Sequence, residues 1–174
     1  MAIADQVLSL ADDFVLGSVT AAFTTASLID KALDLGSDYD NTVQSTDRLL
    51  PLPKGTRVLT AGGGEGMQVN IHVHGSIAAA DNNNFFFILF NSHSIDGNGD
   101  ITSYNPIALA KYNIAELKRT NGIVSFGIPN NTPLDRYLQL GIYASHVVPA
   151  ETASVSAYLN DDKTYWKAMP EGRN

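Results

Sequence analysis

Apolar and polar residues alternate with a period of two wherever a period is legible along this chain. From Met67 onward, Met67, Val69, Ile71 and Val73 fall on one side and Gln68, Asn70, His72 and His74 on the other. Successive side chains of a strand point to opposite faces, so this is the pattern of a half-buried strand with its apolar face inward. Leu138, Leu140, Ile142 and Ala144 alternate in the same way with Tyr137, Gln139, Gly141 and Tyr143. Val155, Ala157 and Leu159 do so against Ser154, Ser156 and Tyr158, and Val124, Phe126 and Ile128 make a shorter case. Breakers stand between the runs: Pro51–Gly55, Gly62–Gly64, Asp81–Asn84, Asp96–Asp100, Asn130–Pro133 and Val148–Pro149. Short strands with frequent turn chemistry mark a sandwich or barrel, and a count of roughly eight strands is the jelly-roll number. The expected fold is all-β: a jelly-roll β-sandwich of roughly eight antiparallel strands. It forms one domain over residues 1–174, with an N-terminal strand or arm at 1–26 and a C-terminal arm at 161–174.

Two segments depart from this alternation. Asn113–Thr120 has a capping residue at Asn113, Glu116 three positions on and the stop signal Asn121-Gly122, which predicts one short helix. The run Phe85, Phe86, Phe87, Ile88, Leu89, Phe90 is apolar throughout, so the strand it forms must bury both faces. Either a loop or the N-terminal segment covers its second face, or another subunit does, because a bare apolar patch of that size is unusual on a monomer. Asp5–Leu16 is compatible with helix or strand, and strand is the expectation adopted.

Composition narrows the function. Hydrophobic residues at 44% and charged residues at 17% fit a packed core and exclude a disordered chain. The net charge of -7, with eleven Lys and Arg scattered along the chain, argues against nucleic acid as a partner. Cysteine is absent, so neither disulfides nor thiol chemistry operate. A signal peptide is not expected, since Asp5, Asp12 and Asp13 precede the first cation, Lys31; no stretch is suited to crossing a bilayer as a helix. A soluble protein made in a cytoplasm is expected.

The candidate chemistry is sparse. Gly66-x5-His72-x-His74 places two imidazoles on one side of a strand, and it matches the opening of the metal-binding signature of cupins, which are jelly rolls themselves. The carboxylate that should follow is replaced by Ala78 and Ala79, and cupin ligands point inward whereas His72 and His74 are expected to point outward. Asp96-x-Asn98-x-Asp100 copies the start of a calcium loop, but Ile101 and Ile107 stand where glycine and a bidentate Glu belong. Gly62–Gly66 lacks the Lys-Ser/Thr of a phosphate loop. No nucleophile elbow is present, and Asn130-Asn131-Thr132 meets the glycosylation pattern only formally. No enzyme and no cofactor is expected. The segment after Asp161 is polar but carries Tyr165, Trp166 and Met169, which suit either a tail folded back on the sandwich or an arm anchored to a partner.

The order of segments resembles the capsid cement (decoration) proteins of certain tailed bacteriophages. The similar pieces are Ser27–Asp30 with Leu33–Gly36, Leu52–Gly55, Ile114–Leu117 before Gly122, Arg136–Leu140, and the closing Trp166–Gly172. They span nearly the whole chain, and none is catalytic. The stretch from Asp38 to Leu50 is longer than the pattern. The resemblance implies a jelly roll on the outer surface of a phage head, a homo-oligomer (dimer or trimer) that binds the major capsid protein and needs neither nucleic acid nor membrane. On that view Phe85, Phe86, Phe87, Ile88 and Phe90 are the candidates for self-association. Phe14, Tyr165, Trp166 and Met169 are the candidates for capsid contact. Two other readings stay open: a carbohydrate-binding module using Tyr137 and Tyr143, and a cupin-like metalloenzyme built on His72 and His74.

Overall fold

The computed structural model describes residues 9–35, 59–60, 67–129 and 132–160. Among these described residues, ten strands run in the order β1 (Ser9–Val19), β2 (Leu28–Asp34), β3 (Leu59–Thr60), β4 (Gln68–His74), β5 (Asn84–Ser92), β6 (Asn105–Asn113), β7 (Ile123–Gly127), β8 (Pro133–Leu134), β9 (Tyr137–Ala144) and β10 (Val148–Asn160). One short helix, α1 (Ile114–Arg119), lies between β6 and β7. Two four-stranded sheets carry the fold, in the orders β1-β10-β4-β7 and β2-β9-β5-β6, while β3 and β8 form a small separate ladder.

Those orders are what a long antiparallel hairpin gives when it is rolled on itself. Leaving β3 and β8 aside, first pairs with last (β1 with β10), second with seventh (β2 with β9), third with sixth (β4 with β7), and fourth with fifth (β5 with β6). Rolling then adds the antiparallel pairs β10 with β4 and β9 with β5. This is the jelly roll expected from the alternation.

The main core lies between the sheets and takes the apolar side of every alternating run. Val69, Ile71 and Val73 of β4, Leu138, Leu140 and Ala144 of β9, and Val155 and Ala157 of β10 are all buried there. Each buried Val, Leu or Ile among them contributes roughly 1.5–3 kcal/mol of burial energy, so parity along the strands decides which way each sheet faces.

β5 explains its own lack of alternation. Phe85, Phe87 and Leu89 point into the main core. On the opposite face Ile88 and Phe90 join Leu28, Ile101 and Tyr137 in a second, smaller core, with Phe23 and Tyr143 packed against it. Phe23 comes from the β1–β2 connection, and Ile101 from the connection between β5 and β6. The cover that the sequence leaves open between a loop and another subunit is therefore supplied by loops of the same chain. Gly141 permits it: a Cβ there would sit 2.9 Å from the rings of both Phe23 and Phe90.

The helix links the edge strands β6 and β7 of the two sheets and packs into the main core. Asn113 accepts a hydrogen bond from the Ala115 N–H at 2.9 Å, as its position predicted, and Ile114 and Leu117 are fully buried. Asn121 and Gly122 then turn with positive φ, and Val73 N–H donates to the Gly122 carbonyl at 2.9 Å. No other residue fits at Gly122, because a Cβ would fall 1.7 Å from the Val73 carbonyl oxygen.

Candidate functional site

The outer face of β1-β10-β4-β7 carries the histidine pair. Both imidazoles lie on the outward parity of β4, with ring centres 4.9 Å apart. His72 is exposed and His74 half-buried, so neither points into the sandwich as a cupin ligand would. In register, His72 stands beside Ser156 and Ile123, and His74 beside Ser154. Further along this face, Gln68 and Asn70 are buried where the alternation predicts solvent, and the Asn70 Nδ2 has no hydrogen-bond partner.

A bulge in β1 brings in a third residue that sequence pattern did not single out for this site. The β1–β10 register shifts between Ala11 and Phe14, and inside that irregularity Asp13 holds a φ of 51°. Left-handed backbone at a residue with a Cβ is strained, and bulges commonly re-aim a side chain. Here the Asp13 carboxylate reaches across β10 to His74 Nε2 at 2.7 Å, and the Asp13 N–H donates to Ser156 Oγ at 3.2 Å. Ser156 Oγ lies 3.3 Å from the same His74 nitrogen. Asp, His and Ser thus meet, but both partners share Nε2, whereas a catalytic triad uses one ring nitrogen for the acid and the other for the nucleophile. The arrangement orients His74; it does not activate Ser156.

Beside the pair lies an open cavity of about 320 Å³, lined by His72, His74, Ile77, Leu117, Lys118 and Asn121 among others. Next to the lining residue Ile77, the segment after β4 is tied to β10 by Glu151, a buried carboxylate that accepts the N–H groups of Ala78, Ala79, Thr152 and Ala153. Lys118 donates to Asp81 Oδ1 at 2.7 Å and to the Ala79 carbonyl at 3.1 Å. Among the described residues, no group of three or more His, Cys, Asp or Glu side chains suited to a metal ion assembles.

The other sequence candidates are dispersed. Phe85, Phe87, Ile88 and Phe90 are buried within the chain and offer no surface to a second copy, which corrects their assignment to self-association. Phe86 alone of that set is half-exposed, stacked on Tyr143 at 4.6 Å, with Lys111 Nζ 5.9 Å from its ring centre. Leu109, 56% exposed, lies on the same side two positions along β6. Phe14 packs its partly buried side chain against the main core instead of facing outward. Tyr165, Trp166, Met169 and the C-terminal arm lie outside the described residues.

Tyr137 is buried, with the Arg136 guanidinium 4.7 Å from its ring centre, and Tyr143 is engaged by Phe86, so the two tyrosines form no open platform for a sugar. In the loop after β5, Asp96 Oδ1 accepts the N–H groups of Asn98 at 2.8 Å and Asp100 at 3.0 Å, which lowers the Asp96 pKa. Asp100 Oδ1 accepts from Gln139 Nε2 at 2.9 Å. Both carboxylates of the calcium-like motif therefore hold the loop together through protein donors.

No helix among the described residues is long and apolar enough to cross a membrane. No protein-family model matches the chain, and no curated protein matches its sequence.

Proposed function

We propose that this protein is a structural component of a phage head, a cement that binds the outer capsid surface and joins neighbouring capsomers. The observation that carries the reading is the jelly-roll sandwich, whose fold agrees with the one implied by the resemblance to cement proteins. The quoted pieces that fall on described residues sit at junctions of that fold. Ser27–Asp30 opens β2, Ile114–Leu117 forms α1 ahead of the obligatory Gly122, and Arg136–Leu140 leads into β9.

The surface suits many weak contacts better than one deep site. Val15, Leu109, Ile123 and Val147 are large apolar side chains exposed at more than half of their area and distributed over separate strands and a loop. Val15 and Ile123 flank the histidine face of one sheet, and Leu109 with Phe86 occupies the other. Single contacts of this kind are weak, but an oligomer spanning several capsomers re-forms a broken contact before the others release. Self-association then rests on Phe86 with Leu109, and attachment to the major capsid protein on Tyr165, Trp166 and Met169.

Purified protein mixed with matching mature, empty shells should co-sediment and saturate at a fixed ratio to the major capsid protein. Those shells should then survive greater heat. Trp166→Ala should weaken attachment while the circular dichroism spectrum is preserved. Protein that stays in the supernatant at every concentration would overturn the cement reading, and retardation in polysaccharide gels would put the carbohydrate module in its place.

A further inference from the structure

We propose that His72 and His74 chelate a borderline divalent transition-metal ion, of the zinc class, on the outer face of β4, with Asp13 as the positioning residue. This site is independent of the shell-binding proposal. A strand places residues two apart on one face, and imidazole nitrogen selects zinc, nickel or copper over calcium or magnesium.

The spacing of the two rings fits such an ion. A zinc ion lies about 2.0–2.1 Å from an imidazole nitrogen and so roughly 3.2 Å from the ring centre. Ring centres 4.9 Å apart then subtend about 100° at the metal, close to the tetrahedral angle. The Asp13 carboxylate accepts a hydrogen bond from the His74 Nε2–H, with 2.7 Å between the heavy atoms, which leaves the lone pair of the neutral ring on Nδ1. Metal-bound imidazoles are regularly held by a carboxylate in this way, which fixes the ring and raises its basicity.

That role accounts for three otherwise separate facts: the bulge in β1, the left-handed backbone of Asp13, and the support of both Asp13 and His74 by Ser156. The remaining coordination positions fall to water or a small ligand in the adjoining cavity, whose lining cation, Lys118, is already paired with Asp81. Two protein ligands leave the site open to exchange.

The test is calorimetric titration of the full chain with zinc chloride at neutral pH, alongside His72→Ala, His74→Ala and Asp13→Asn. One ion per chain is expected, lost with either histidine. Asp13→Asn should retain the stoichiometry and weaken affinity about tenfold. Thermal unfolding without metal tells loss of ligation from loss of fold, and the ring resonances of His72 and His74 should shift together as zinc is added. Affinity unchanged in His72→Ala, or binding weaker than millimolar in the native chain, would overturn the proposal.

Discussion

The two sheets of this jelly roll turn different outer faces to the surroundings. Outside β1-β10-β4-β7 lie polar side chains, Ser154, Ser156, His72 and His74, arranged by strand parity, and the irregularity at Asp13 ties His74 and Ser156 together. Outside β2-β9-β5-β6 lies a second apolar core, in which Phe23, Ile101 and Tyr104 close over Ile88, Phe90 and Tyr137. Both faces begin from the same antiparallel geometry. The difference comes from the connections, since the β1–β2 and β5–β6 loops fold over one face and leave the histidines of the other open. A sheet face is thus free for binding only where no loop of its own chain claims it, and alternation within the strand cannot reveal which case holds.

The largest expected effect comes from opening the covered face. Phe90 is 4% exposed and its ring lies 4.7 Å from Phe23 and 5.8 Å from Tyr104. Phe90→Ala should destabilise the chain by about 3–5 kcal/mol, through lost transfer energy and the cavity left behind. His72→Ala on the open face should stay within about 0.5 kcal/mol. Urea unfolding measures both, and similar losses at the two positions would mean that the cover contributes no packing.

A smaller effect separates the polar groups of the two faces. Gln139 is fully buried on β9, where its Nε2 donates to the Asp30 carbonyl at 2.6 Å and to Asp100 at 2.9 Å, and its Oε1 accepts the Ile101 N–H at 2.9 Å. Gln139→Leu keeps the volume but strands those partners, at a cost of about 2–3 kcal/mol. Asn70 is also buried, but its Nδ2 has no partner to lose, so Asn70→Leu should cost much less in the same assay.

These residues also show what was legible in the sequence. Parity gave the core face of β4, β7, β9 and β10, and the capping residue gave α1, because both signals are local. Continuing the β10 alternation back from Val155 through Ala153 would have put Glu151 on the inward side, where a charge demands partners; it finds them in the backbone of the loop after β4. Gln139 escaped because its burial depends on a loop far away in sequence. Asp13 escaped for the opposite reason: a bulge breaks the period, and its partner His74 is a neighbour only after β10 has been laid between β1 and β4. The buried members of the Phe85–Phe90 run were assigned to a subunit contact because apolar density alone does not say which chain covers it.

The gentlest way to sharpen the contrast is acid. Asp96 organises the loop that covers the apolar face, and the backbone N–H groups of Asp100 and Asn98 hold its pKa below the ordinary 3.8. A carboxyl with a lowered folded-state pKa contributes its stabilisation fully above the unfolded value and loses it as pH falls through the folded one. Amide exchange at Asn98 and Asp100 should therefore accelerate only below the usual carboxylate range, while the β4–β10 ladder remains protected at the same pH. Asp96→Asn should show the faster loop exchange already at neutral pH, since a neutral amide oxygen is the weaker acceptor. If acid instead releases the loop and the β4–β10 ladder together, the cover is part of one cooperative unit with both sheets, and the two faces differ in composition but not in local stability.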